Sequence, residues 1–89
     1  MVDIYHVWMD GLPLKEIEDN ASFIRHVHLA DKEGRVAPGL SGKSDYVPFF
    51  KILKQAGYNG RISVEAVNFD IAKDGANVLT TVKNAWAAA

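Results

Sequence analysis

The stretch HVHLAD, residues 26 to 31, sets two imidazoles two positions apart in an apolar run that an aspartate closes. In an extended chain, side chains alternate between faces, so His26 and His28 share one face while Val27 and Leu29 take the other. Two carboxylates lie in comparable settings: Asp3 in VDIYH, near the first residue, and Glu65 in RISVEAV. A carboxylate in a buried strand is costly unless it is paired or binds a cation. One imidazole with two carboxylates is a hard-to-borderline donor set, suited to Mn, Mg, Co or Zn as divalent ions. On this reading Asp3, His28 and Glu65 are the metal ligands, and His26, one pleat deeper, packs or orients a neighbour. The plainer reading keeps His28 as a hydrogen-bonded core residue and Asp3 as an exposed end residue.

Such a set needs elements that bring it together. Three segments read as strands from their β-branched and aromatic content: Val2 to His6, Phe23 to Ala30 and Arg61 to Val67. Helical patterns separate them. Gly11 to Asn20 reads as a short helix with Pro13 in its first turn. Asp45 to Ala56 has Tyr46, Phe49, Phe50 and Leu53 at i, i+3, i+4 and i+7, with Ser44 or Asp45 to cap its start and Gly57 to end it. Ile71 to Ala87 carries the stripe Val78, Leu79, Val82 and Trp86, with Asp70 or Asp74 as cap. Strands alternating with helices predict an α/β fold with a parallel sheet, whose chemistry sits at the C-terminal strand ends. In strand alternation Asp3 pairs in face with Tyr5, and Ser63 with Glu65, so Asp3, His28 and Glu65 are expected to converge.

With 89 residues the chain is read as a single domain, 1–89. The apolar content of 48% supports a core, and the net charge of −1 offers no basic footprint for nucleic acid. There are no cysteines, which fits a cytoplasmic setting. No apolar stretch is long enough for a bilayer, and no signal peptide is visible, so neither membrane nor export is expected.

The motifs VDIYH, IRHVHLAD, GRVAPG and GYNGRISVEA resemble the C-terminal portion of the xylose isomerase-like TIM barrels. That superfamily includes sugar phosphate isomerases and epimerases, hydroxypyruvate isomerase, inosose dehydratase and endonuclease IV. The resemblance implies a partial (β/α) barrel of about three βα units, equivalent to strands 6 to 8, with helices outside. It implies Asp3, His28 and Glu65 as metal ligands. Glu65 is also the proton-transfer base, hence the catalytic residue, and His6 and Arg35 lie at the substrate.

The resemblance also marks what is absent. A full barrel has eight strands and about 250 residues, and the family's further glutamate ligand and partner base comes from an earlier strand. The loop PGLSGKSDY is about one residue longer than the usual pattern. Three parallel strands leave two open edges, so self-association, or pairing with a separately encoded N-terminal barrel portion, is expected. The function implied is a metal-dependent sugar or sugar-phosphate isomerase or epimerase. The alternative is a non-catalytic oligomeric barrel remnant or metal-binding scaffold. An endonuclease is disfavoured, because no histidine lies between Leu29 and Arg61 and the chain is not basic.

Overall fold

The computed structural model describes residues 2–67 and 70–89. The order is β1 (Val2–Asp3), α1 (Ile4–Met9), α2 (Leu14–Asp19), a short 3₁₀ turn (Ala21–Phe23), β2 (His26–Leu29), α3 (Val47–Gln55), β3 (Arg61–Val64) and α4 (Ile71–Ala88). The three strands form one parallel sheet in the order β1-β2-β3, with Asp3 opposite His28 and His28 opposite Ser63. Helices alternate with the strands, as in a segment of a (β/α) barrel.

The first strand is shorter than its composition predicts. Ile4, Tyr5 and Val7 are good strand formers, yet the chain enters α1 at Ile4. Asp3 takes an extended conformation and its Oδ1 accepts the N–H groups of Tyr5 at 3.0 Å and His6 at 3.5 Å. That cap satisfies two of the free donors of the first turn. Ile4, Val7 and Trp8 then share one helical face toward the core. Tyr5 and His6 are therefore helical residues, and Asp3 and Tyr5 do not share a strand face.

The other elements are also trimmed. Phe23 lies in the 3₁₀ turn, and β2 begins at His26. Glu65 lies past the end of β3, not in its centre. Pro13 stands as the N-cap of α2 rather than inside its first turn. Asp45 accepts the Val47 N–H at 3.0 Å, and Ser44 Oγ instead accepts the N–H of Lys32 at 2.9 Å. Of the two candidates for α4, Asp70 is the cap, accepting from Lys73.

One face of β2 makes the core. Val27 and Leu29 are fully buried, and Tyr46, Phe49, Phe50 and Leu53 of α3 and its N-cap pack into the same cluster with Ile4 and Ile17. Trp86 of α4 meets Phe50 edge-on, with ring centroids 5.4 Å apart. The covering of β3 is looser. Ile62 and Val64 line an open apolar groove of about 280 Å³ with Ile71, Val78, Leu79 and Val82 of α4. Leu79, expected on the buried stripe, is exposed.

Candidate functional site

The opposite face of the sheet carries the polar residues. His26 and His28 are half-buried where Val27 and Leu29 are buried, as alternation requires. Asp3 and His28 are register partners, which sets both carboxylate and imidazole at the C-terminal end of adjacent strands. Because Oδ1 of Asp3 is engaged in capping α1, Oδ2 is the oxygen left over. It lies 3.9 Å from His28 Nδ1 and 3.9 Å from His6 Nε2. Those separations are too long for hydrogen bonds. They fall within the roughly 4.2 Å that two donors can span when each binds one ion at about 2.1 Å.

His26 is held differently. Its Nε2 is 3.0 Å from Ser63 Oγ, and its ring meets that of His28 edge-on at 4.6 Å. It therefore braces His28 from below and ties β2 to β3, while His28 Nδ1 stays directed toward Asp3.

Glu65 does not join this group. Its N–H donates to Leu29 O at 3.0 Å, so the β2–β3 ladder runs one step beyond β3 and alternation keeps Glu65 on the His28 side. Ser63 is the residue level with His28. Glu65 thus lies two residues, about 6.6 Å, further along the strand direction. It is exposed. Among the described residues, no three His, Asp or Glu side chains come together as a metal-binding group. The structure brings together Asp3 and His28, with the exposed His6 on the outer side of Asp3, and leaves the third donor one row away.

Arg35 is half-buried. Its guanidinium carbon stands 4.9 Å above the Tyr5 ring, a cation–π arrangement. Its carbonyl accepts the Val67 N–H at 3.0 Å, which ties the 32–45 loop to the segment just past Glu65.

Asp31, which closes the HVHLAD stretch, is the one fully buried charged residue among those described. Its carboxylate accepts from Tyr46 Oη at 2.6 Å, Ser41 Oγ at 2.7 Å, Ser41 N at 3.1 Å and Gly39 N at 3.2 Å. Gly39 is required at its place twice over: its φ is +91°, and a Cβ there would meet the Thr81 side chain at 2.8 Å. The sequence signal for this knot is a lone aspartate ending an apolar strand before a glycine-rich loop. Burial, and then the bond to Asp31, hold the Tyr46 hydroxyl far above its ordinary value of 10. The folded state keeps the phenol neutral while the unfolded chain ionises it. Its contribution is whole below pH 10 and is lost as pH rises above that. Urea midpoints measured from pH 8 to 11 are expected to fall above pH 10, and less steeply in Tyr46→Phe.

The family model of the xylose isomerase-like TIM barrel matches residues 1–82. The chain belongs to that family. Three curated relatives match over 66 residues each, all named "Putative hydroxypyruvate isomerase": those of Drosophila melanogaster at 35% identity, Streptomyces coelicolor at 36% and Mus musculus at 35%. The matches cover 73%, 73% and 72% of this chain and 25%, 23% and 24% of the relatives, so the chain spans about a quarter of their length. No solved structure matches it. Among the described residues, no helix is long and apolar enough to cross a membrane.

Proposed function

We propose that this xylose isomerase-like chain forms the strand 6–8 portion of a divalent-metal-dependent isomerase or epimerase acting on a sugar, a sugar phosphate or a small hydroxycarbonyl acid. The observation that carries the reading is the Asp3–His28 pair: two donors of suitable chemistry, level on adjacent parallel strands, with unbonded atoms 3.9 Å apart. The relatives' names support the isomerase class.

In this reading Asp3, His28 and Glu65 would hold the ion. A bound divalent cation supplies polarisation of the substrate's carbonyl and neighbouring hydroxyl. The Glu65 carboxylate removes the proton from the carbon bearing that hydroxyl and returns it to the former carbonyl carbon, while the hydroxyl proton passes to the former carbonyl oxygen, so the double bond moves through an enediol. Arg35 holds the anionic end of the substrate, and exposed His6 hydrogen-bonds a hydroxyl. The open edges of β1 and β3 and the groove beside α4 receive the remaining barrel strands.

That no three donors come together among the described residues favours a second reading, an assembling scaffold without catalysis. Exchange of deuterium from D₂O into hydroxypyruvate in the presence of Mg²⁺ separates the two. Glu65→Gln is expected to slow exchange by about 10²-fold or more, the scale of a lost general base. Equal rates for both proteins, at the level of buffer, support the scaffold.

A further inference from the structure

The buried Asp31 knot has no part in the proton transfer described above, yet it clamps both arms of one loop. The carboxylate binds Gly39, Ser41 and Tyr46, and the Asp31 N–H donates to Val36 O at 2.8 Å. Arg35 sits just before that second clamp. It is the one non-glycine with a positive φ among the described residues, +54°, and follows Gly34 at +76°. The left-handed region costs an ordinary residue about 1–2 kcal/mol and persists only where the surroundings over-determine it. A glycine at 35 would take this conformation freely, so loop closure alone does not call for an arginine. At this strained residue the guanidinium lies over the ring of Tyr5, whose own N–H is bound by Asp3.

We propose that Asp31 is a positioning residue for Arg35, fixing the 32–45 loop so that the guanidinium stands over Tyr5, in the helical turn that Asp3 caps, and meets the carboxylate or phosphate of an anionic substrate. The substrate part of this rests on the proposed function, whereas the positioning part does not. Asp31 acts without touching substrate. The tautly held loop confines Arg35 to one rotational state before binding, which lowers the ordering cost of an anion contact.

The test reads the Arg35 side-chain Nε–Hε resonance by NMR. In the intact protein the Tyr5 ring face shifts it upfield, and Tyr5→Leu defines the unshifted position without touching the knot. Asp31→Asn turns an amide NH₂ toward donors and is expected to move the signal most of the way to that position. Because Asp31→Asn can fail to fold, Tyr46→Phe and Ser41→Ala, each removing one hydroxyl, are read beside it and are expected to move the signal part of the way. An unmoved Arg35 signal in Tyr46→Phe and Ser41→Ala, with loop amides displaced, overturns the positioning role. Hydroxypyruvate added to the intact protein is expected to shift the same resonance, and less so in Tyr46→Phe. A correctly placed Arg35 that ignores hydroxypyruvate overturns the substrate part while leaving the positioning result standing, so the two failures are told apart.

Discussion

Asp31→Ala is expected to lower the free energy of unfolding by about 3–5 kcal/mol, since it strands the buried Tyr46 hydroxyl and, at lower cost, three part-buried donors of Ser41 and Gly39, at up to about 1–3 kcal/mol each. The Tyr46 hydroxyl loses its partner inside the core, beside Trp8 and Phe50. The Ser41 hydroxyl and amide and the Gly39 amide lose theirs at the loop, where partial exposure tempers the cost. Natural domains have only about 5–15 kcal/mol in total, so the variant stands near the threshold of folding. Urea unfolding followed by far-UV circular dichroism checks this. A loss below about 1 kcal/mol would mean that water or a rearranged loop satisfies these groups, and the knot would not be the anchor described above.

The second large effect concerns the ion. His28→Ala is expected to weaken Mn²⁺ binding by at least about 100-fold, because it removes one of the proposed ligands. His26→Ala acts only through orientation and is expected to cost about 10-fold, the lower end of what outer partners contribute. The difference follows from the register. His28 is level with Asp3, and His26 is level with Arg61, bound to Ser63. Competition against a fluorescent chelator gives both affinities. The reverse order would place the site one pleat deeper than the Asp3–His28 pair.

How much of this was legible in the sequence follows from where each signal comes from. The spacing of Tyr46, Phe49, Phe50 and Leu53 is local and repeats with the helical period, and all four are buried. The alternation in HVHL reports directly which residues face the helices. β1 is shorter than strand propensity predicts, because that propensity in Ile4, Tyr5 and Val7 loses to a cap that Asp3 alone provides. The apolar neighbours of Glu65 predict a buried carboxylate. Its exposure follows from β3 stopping at Val64 on an open edge, where tertiary cover and not sequence decides burial. The convergence of the three donors failed by one row for the same reason: alternation fixes the face, but only pairing fixes the level. The role of Asp31 is not legible because its partners lie 8 to 15 residues away, two of them, Gly39 and Ser41, in a loop with no period. Family membership was legible because four motifs in order carry more information than any one of them.

The central claim, that Asp3, His28 and Glu65 hold a divalent ion, is tested most directly by calorimetric titration of Mn²⁺ into metal-stripped protein of known assembly mass. Saturable binding near one ion per chain, lost in His28→Ala, is the predicted result. Absence of saturable binding in folded protein at every assembly mass would contradict it, and the three residues would then be structural parts of a barrel segment that holds no metal.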